Sequence, residues 1–441
     1  MAYRDFDDVT LSRRSLLRGG AMFGAGAALS GLPLGSALLA RTDAARAAWP
    51  AVSALVDKHV DARQLANVVA VMGWGERDPM AIAKGNLAIG QTAPAGLDSL
   101  YRVYSMTKPV TGMATMMLID DGRLSLDQPL AEILPKFANV QVQKTYDGSL
   151  TDLVPAAGPI TIRHLLTHTA GLGYNIIQKG PIKDAYNARG IIGGQVSKLP
   201  IAQALIGDFK PAPSLAEFAD RLAELPLVYQ PGARWSYSNS IDLLGRVIEV
   251  ASGQSFESFL AERLFGPAGM DSTWFRVPAS EASRLTTNYG VMNGTLIPLD
   301  PARQSIFLDA PPFPAGGGGL VSSPRDYDRF LRMLLNYGTI DGRQVMSEPA
   351  VRVGTSDLLP EGVRIKGTWV EGQGFGAGGR VSNGSFGWGG AAGTIAFVNY
   401  DAGLRASLFT QYMPSEAYDM HAAFPAAVQK DLAAMAAKRA G

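Results

Sequence analysis

Tyr104-Ser105-Met106-Thr107-Lys108-Pro109 opens a largely apolar segment that runs to Ile119 and ends at Asp121-Gly122. This spacing and the terminal glycine predict a helix that begins near Ser105. Ser105 and Lys108 are three residues apart, so their side chains lie on one face of that helix. A serine hydroxyl is a weak nucleophile until a neighbouring group takes its proton, and a lysine can do so or can assist another group. Alone, however, this pattern indicates in most proteins a capping serine followed by a solvated lysine.

Two further segments, far away in the chain, favour the catalytic interpretation. Trp235-Ser236-Tyr237-Ser238-Asn239-Ser240 precedes a helical pattern, and Phe386-Gly387-Trp388-Gly389-Gly390-Ala391-Ala392-Gly393 precedes an apolar strand. Together with Ser105 and Lys108 they give the chain order of an active site built from three motifs.

The secondary-structure pattern around these motifs predicts an α+β fold. A hairpin is expected within residues 67–87, and glycine-punctuated strands are expected within residues 384–411. Between them lie helical stretches separated by loops rich in proline and glycine. The simplest packing is one antiparallel sheet built from both chain ends and flanked by helices. We therefore expect an α/β part formed by residues 48–122 and 311–441, and a mostly helical part formed by residues 123–310.

On these motifs the sequence resembles the β-lactamase and penicillin-recognising superfamily, and it is most similar to class C β-lactamases and family VIII carboxylesterases. Supporting stretches are Ile160 to Leu172, Pro231-Gly232-Ala233, Gly316 to Ser322 and Asp326-Tyr327. The resemblance covers nearly all of residues 48–441 and implies the β-lactamase/penicillin-recognising fold.

The resemblance also implies roles for the residues of the first two motifs. Ser105 matches the nucleophile and Lys108 its partner. Tyr237 matches the general base, whose phenol Lys108 keeps acidic. Asn239 matches a polar residue that hydrogen-bonds Lys108 or the substrate.

The third motif matches a strand edge that lines the site. By the resemblance, the backbone N–H groups of Ser105 and Ala391 form the oxyanion hole. Gly389 and Gly390 fit this role, because the substrate must approach the backbone closely. Trp388 departs from the penicillin-active pattern, which has a lysine there to meet the substrate carboxylate. Tryptophan offers an apolar wall and one N–H donor instead, and a Trp-Gly-Gly form is known among family VIII esterases.

We therefore expect a serine hydrolase that cleaves small carboxylic esters through an acyl-enzyme on Ser105, with no cofactor and no metal. One alternative is a β-lactamase or D-amino-acid peptidase that uses the same residues. Another is a non-catalytic, penicillin-binding-like sensor, although the presence of Ser105, Lys108 and Tyr237 speaks against it.

Composition narrows the choice of partner. Lysine and arginine (40) nearly balance aspartate and glutamate (39), so there is no electrostatic reason to expect nucleic acid. The absence of cysteine excludes disulfides, thiolate metal sites and cysteine nucleophiles. The expected partner is a small-molecule ester.

Residues 1–47 have the anatomy of an export signal. Arg13-Arg14 precede an uncharged stretch from Gly19 to Ala40, and Ala45-Arg46-Ala47 offers a cleavage site. This order is typical of a secretory signal, and the paired arginines resemble a twin-arginine signal. A membrane anchor is the alternative. We expect cleavage, a periplasmic or secreted protein, transient contact with the twin-arginine machinery and no stable membrane partner.

Two other patterns receive structural interpretations. His164 and His168 are four residues apart on a predicted helix, but no glutamate completes a zinc motif, so we interpret them as packing histidines. Gly374-x-Gly376-x-x-Gly379 matches a dinucleotide-binding pattern, but no helix follows it, which favours a turn between strands.

Overall fold

The computed structural model describes residues 42–200 and 210–440. The first 41 residues of the predicted export signal lie outside the described residues. The helices are α1 (Pro50–Asp61), α2 (Thr107–Asp120), α3 (Ile162–Leu166), α4 (Pro181–Ala188), α5 (Leu215–Ala223), α6 (Ser240–Ser252), α7 (Phe256–Leu260), α8 (Gly266–Ala268), α9 (Pro324–Leu335), α10 (Glu348–Gly354) and α11 (Met420–Ala440).

The strands lie at both ends of the chain and in the middle. They are β1 (Asn67–Trp74), β2 (Met80–Gly85), β3 (Tyr101–Arg102), β4 (Gln141–Gln143), β5 (Leu153–Pro155), β6 (Asn288–Met292), β7 (Thr295–Asp300), β8 (Val321–Ser322), β9 (Thr339–Ile340), β10 (Arg343–Gln344), β11 (Gly374–Phe375), β12 (Arg380–Ser382), β13 (Ser385–Gly389), β14 (Ile395–Asn399), β15 (Leu404–Phe409) and β16 (Tyr412–Met413).

The largest sheet joins the two chain ends, as predicted. It has seven strands in the order β11-β12-β13-β14-β15-β1-β2, and each neighbouring pair is antiparallel. In the central pair, Val69 lies opposite Phe409 and Trp74 opposite Leu404. β1 and β15 are almost fully buried, because helices cover both sides of the sheet.

Each face of the sheet has its own apolar layer. On one face, Val68 and Phe397 pack with residues of α1 and α11. On the other, Val69 and Val398 belong to the main core, which includes residues of α2 and α9. The two covering helices of the first face are joined by a polar contact, since the carboxylate of Asp431 accepts the free N–H group of Ala51 at 2.9 Å, as a helix N-terminus requires.

Helices α3–α8 lie between residues 123 and 310, where the sequence predicts a mostly helical part. This stretch also contains the hairpins β4–β5 and β6–β7, which the sequence analysis did not predict. Within residues 42–200 and 210–440, no helix combines the length and the apolar character needed to cross a membrane.

Candidate active site

The three motifs converge at one end of the large sheet. The Ser105 turn precedes α2, the Tyr237 segment precedes α6, and Trp388 lies on β13. α2 packs against α6, and β13 packs against the turn that holds Ser105. The fold thus brings together segments that are more than a hundred residues apart in the chain.

The turn at the first motif differs slightly from the predicted helix. Tyr104–Met106 forms a 3₁₀ turn, and α2 begins only at Thr107. Tyr104 has a positive φ of 41°, a strained conformation for a residue with a side chain. The amide of Asn288 donates to the Tyr104 hydroxyl at 3.1 Å and helps to hold this turn. Ser105 is consequently presented beside the helix start, partly exposed.

Tyr237 and Lys108 both place a polar atom within hydrogen-bond distance of Ser105 Oγ. Tyr237 Oη donates to Ser105 Oγ at 2.7 Å, and Lys108 Nζ donates to the same oxygen at 3.2 Å. Lys108 Nζ also lies 4.5 Å from the centre of the Tyr237 ring. A positioned nucleophile with an adjacent base and an adjacent cation is the arrangement that activates a serine.

Lys108 is fully buried, and a buried ammonium group needs close partners. Besides Ser105, its Nζ donates to the carbonyl of Gly317 at 2.6 Å. The backbone N–H of Gly317 donates to Asp242 Oδ1 at 2.8 Å. The Gly317 backbone therefore links a buried cation to a buried carboxylate.

Asp242 lies in the first turn of α6 and is fully buried. Burial raises the pKa of its carboxyl group, and the charge of Lys108 opposes that rise. Gly193 and Gly317 leave room for this carboxylate: a Cβ atom would lie 2.7 Å and 2.5 Å from Oδ2, respectively. Within the described part of the chain, that oxygen has no hydrogen-bond partner. The sequence analysis did not single out Asp242, because an acid in the first turn of a helix has an ordinary capping explanation.

Asn239 differs from its expected contact. Instead of bonding Lys108, its Nδ2 donates to the carbonyl of Gly173 at 3.0 Å. Its buried Oδ1 has no hydrogen-bond partner among the described residues. The backbone N–H of Asn239 donates to the same carbonyl, so Asn239 joins the second motif to the loop that follows α3.

The third motif lies against the first through its glycines. A Cβ atom on Gly390 would approach the carbonyl oxygen of Val103 to 2.4 Å, and one on Gly389 would approach the ring of His421 to 3.0 Å. Because the N–H of Gly390 donates to Thr394, it is not free for a substrate. The next residue, Ala391, is where the resemblance places the oxyanion-hole donor.

Trp388 belongs to an aromatic cluster around Tyr237. Its ring centre lies 5.9 Å from that of Tyr237 and 5.4 Å from that of Phe375. Tyr174 and Trp235 pack in the same cluster. The apolar wall that the sequence predicted at Trp388 thus also includes Tyr174 and Phe375, which lie outside the three motifs.

A cation also lies near the third motif, and the sequence analysis missed it. The guanidinium carbon of Arg380, on β12, is 5.2 Å from the Trp388 ring centre. Arg380 pairs opposite Gly387 in the sheet register, which no motif spacing indicates.

His168 does not share a helix with His164, contrary to the predicted helix. α3 ends at Leu166, and His168 has a φ of 56°. Its Nδ1 lies 2.9 Å from Ser238 Oγ, and its ring packs 4.9 Å from that of Tyr237. Burial, reinforced by the charge of Lys108, lowers the pKa of His168 well below its ordinary value.

The glycine pattern and the possible metal ligands can both be located in the structure. Gly374-x-Gly376-x-x-Gly379 lies on β11 and the turn to β12, as expected. Within residues 42–200 and 210–440, no group of three or more histidine, aspartate or glutamate side chains is placed to hold a metal ion.

Fold and site together define a serine hydrolase of the β-lactamase fold. The chain belongs to the β-lactamase family, since residues 52–429 match the sequence profile described as Beta-lactamase. Among its relatives, Protein Rv1367c of Mycobacterium tuberculosis is 34% identical over 386 residues, covering 82% of this chain and 90% of that protein. Esterase EstB of Burkholderia gladioli is 29% identical over 387 residues, covering 81% and 89%.

Solved structures agree with this fold. EstCE1, described as a hydrolase with promiscuous acyltransferase activity, has a TM-score of 0.69 at 23% identity, covering 86% of this chain and 99% of its own. Simvastatin synthase LovD of Aspergillus terreus (the LovD6 mutant) has a TM-score of 0.70 at 24% identity, covering 93% and 100%.

Proposed function

We propose that this protein hydrolyses small neutral carboxylic esters through an acyl-enzyme on Ser105. One observation carries the proposal: Ser105 Oγ lies within hydrogen-bond distance of both Tyr237 Oη and Lys108 Nζ. The relationship to an esterase, EstB, supports the choice of substrate class.

The reaction begins with proton transfer from the Ser105 hydroxyl to the Tyr237 phenolate, which the nearby Lys108 ammonium stabilises. Ser105 Oγ then attacks the ester carbonyl, and the oxyanion is held by backbone N–H groups, for which we propose Ser105 and Ala391. Tyr237 returns the proton to the departing alcohol. Water, activated by the same phenolate, then attacks the acyl-enzyme and releases the acid.

The neutral character of the ester follows from the third motif. The indole of Trp388 stands where penicillin-active relatives carry a lysine, so the motif itself provides no charged partner for a substrate carboxylate. A carboxylate moved into a partly dry cleft without a partner is strongly disfavoured. A neutral ester avoids this cost and contacts the ring.

Arg380 favours a second candidate function, a β-lactamase or D-amino-acid peptidase. Its guanidinium carbon lies 5.2 Å from the Trp388 ring centre, near enough to the third motif to attract an anionic substrate.

The relatives also include acyltransferases, such as calJ of Penicillium decumbens, which is 29% identical over 351 residues. An alcohol could therefore replace water as the group that accepts the acyl chain from Ser105.

The test compares matched substrates. We expect kcat/KM to be much higher for p-nitrophenyl butyrate than for nitrocefin, and higher for a neutral ester than for its anionic counterpart. Trp388→Lys should shift this ratio toward the anionic ester, and Arg380→Gln should shift it away. Faster turnover of nitrocefin, or preference for the anionic ester in the wild type, would replace the esterase proposal with the lactamase alternative.

We also propose export through the twin-arginine system. Replacing Arg13 and Arg14 together by lysine should retain the precursor in the cytoplasm, whereas normal periplasmic levels would point to another route.

The position at which the signal is cleaved is a separate question. Residues 42–48 are helical and Ala45 is 1% exposed, so a cut after Ala47 would remove a packed turn. N-terminal sequencing of the exported protein would locate the cut.

A further inference from the structure

One aromatic side chain beside the catalytic tyrosine is exposed. Trp369 is 42% exposed, whereas Trp235, Tyr237 and Trp388 are each less than a tenth exposed. The ring centre of Trp369 lies 5.0 Å from that of Tyr237 and 6.3 Å from that of Trp235. Trp369 therefore extends the buried aromatic cluster to the solvent.

The segment that carries Trp369 is tied to the second motif. The N–H of Trp235 donates to the carbonyl of Arg364 at 3.1 Å, and the N–H of Arg364 donates to Ala233 at 3.0 Å. Immediately after Trp369, Val370 is fully buried in the aromatic cluster. Anchors on both sides hold the indole next to Tyr237 rather than leaving it on a free loop.

The same segment is also braced internally. The hydroxyl of Thr368 donates to the carbonyl of Ile365 at 2.5 Å, and the N–H of Gly367 donates to Glu371 at 3.0 Å. The backbone on both sides of Trp369 thus has local hydrogen bonds. A large apolar ring held in water by a braced segment has an unfavourable exposure that a bound apolar group would relieve.

We propose that Trp369 is a substrate-binding residue that stacks against an aromatic or similarly bulky, planar apolar group of the ester. This inference rests on the proposed function, because it takes Ser105 as the point of attack. It narrows the substrate class from small esters in general to esters with a flat apolar group in the acyl or the alcohol part.

The distance between Ser105 and the Trp369 indole explains why the group must be bulky. Ser105 contacts the hydroxyl of Tyr237, whereas Trp369 packs against the ring of Tyr237. The indole is therefore about one phenol ring away from the nucleophile. An acetyl or ethyl group at Ser105 ends short of the indole, whereas a fused two-ring group spans the distance and can lie in offset contact with it.

The experiment compares Trp369→Ala, Trp369→Phe and wild type on three esters: ethyl acetate, 2-naphthyl acetate and ethyl 2-naphthoate. Met292→Ala is the matched control, because Met292 is a similarly exposed apolar side chain, 44% exposed, on the β6–β7 hairpin. We expect Trp369→Ala to lower kcat/KM about tenfold for one naphthyl ester and less than about twofold for ethyl acetate. The naphthyl ester that responds identifies the part of the substrate that contacts the indole.

Trp369→Phe should recover most of the loss, since it retains a ring, and Met292→Ala should match the wild type on all three esters. In the Ser105→Ala background, titration with the responding ester should quench tryptophan fluorescence, and Trp369→Phe should reduce that quenching. Equal losses on all three esters, or no loss on either naphthyl ester, would overturn the role of Trp369. Those outcomes leave the proposed function standing, because it is tested separately by Ser105→Ala and by the comparison of neutral with anionic substrates.

Discussion

Two buried pairs of opposite charge in this protein are built differently. The first pair, Arg405 and Asp328, lies between β15 and α9 and is joined directly: the guanidinium Nε and Nη2 atoms donate to the carboxylate at 2.7 and 3.2 Å. Its remaining donors bond the carbonyls of Gly75 and Arg77. The second pair, Lys108 and Asp242, is joined only through the Gly317 backbone.

We interpret the first pair as structural and the second as part of the proposed active site. Arg405 has every nitrogen engaged with protein atoms, so it has no donor left for a ligand. Lys108, by contrast, shares its ammonium group with Ser105, the proposed nucleophile, and one oxygen of Asp242 has no partner among the described residues. Incomplete pairing is costly in a protein interior, and it is found here beside Ser105.

The largest expected effect on activity comes from removing Ser105 Oγ, the atom that Lys108 of the second pair contacts. Ser105→Ala should abolish ester hydrolysis, because no acyl-enzyme can form. It should leave the thermal midpoint near that of the wild type, because one partly exposed oxygen is lost. Mass spectrometry after fluorophosphonate treatment should place the adduct on the peptide that contains Ser105. An adduct elsewhere, or activity near the wild-type value in the variant, would end the assignment.

The comparison itself is tested by making the same substitution in both pairs. Lys108→Met should lower kcat roughly 10²–10⁴-fold, as the loss of a proton-transfer partner does, with the fold retained. Arg405→Met should act on stability instead. Removing one partner of a buried ion pair costs about 3–5 kcal/mol, while turnover per folded molecule stays close to that of the wild type.

Urea unfolding and active-site titration, performed on both variants, give the two readouts. If Lys108→Met unfolds the protein, or if Arg405→Met reduces turnover without loss of stability, the distinction between the pairs is wrong. Tyr237→Phe serves as a second test of the site and should resemble Lys108→Met.

The sequence predicted the framework of this fold because its signals are local. The hairpin formed by β1 and β2, the three strands β13 to β15 and the helix after Ser105 all follow from periodicity and turn residues. Ser105, Lys108 and Tyr237 were assigned through motif order, and the fold brings them together. The hairpin β4–β5 was missed because its strands span three residues each. The hairpin β6–β7 was missed although Asn293-Gly294, a typical hairpin turn, joins its strands.

The rest of the site depends on distances that the chain order does not contain. Asp242 is an ordinary first-turn acid until the Gly317 backbone is placed beside it. Trp369 lies in a segment without periodicity, and its proximity to Tyr237 comes from the bonds that tie that segment to the second motif. Asn239 bonds Gly173 rather than Lys108 because of where the loop after α3 runs.

A smaller effect is expected from the indirect partner of Lys108. Asp242→Asn preserves the shape and the acceptor for the Gly317 N–H but removes the negative charge. Burial raises the pKa of Asp242, so on acidification its charge is lost at a higher pH than the charge of an ordinary carboxyl group. The variant lacks this ionisation, so kcat/KM should fall about tenfold at neutral pH and the acidic limb of the pH–rate profile should change shape. Asp326→Asn is the matched control, since Asp326 is a buried carboxylate that bonds Ser272 and Thr273 away from the site. An unchanged pH profile in Asp242→Asn would show that Asp242 has only a packing role.

The smallest expected effect concerns His168, which packs on Tyr237 and stays neutral beside Lys108. Because burial lowers the pKa of His168 in the folded state, the unfolded chain binds its proton at higher pH than the folded chain does. This group therefore contributes no pH dependence of stability above its ordinary pKa of about 6.5, and it destabilises the fold progressively as the pH falls below that value.

His168→Phe retains a ring and removes the titration, while Ser238 keeps its bond to Ser240. The free energy of unfolding, measured in urea from pH 8 to pH 5, should decrease less steeply in this variant. His59→Phe should change the slope less, because the neighbouring Gln64 side chain opposes the lowering of the His59 pKa by burial, whereas the charge of Lys108 reinforces it at His168. If the free energy of unfolding depended on pH identically in His168→Phe and the wild type, His168 would be protonated to the same extent in the folded and the unfolded chain. The surroundings of Lys108 would then not exclude a second positive charge.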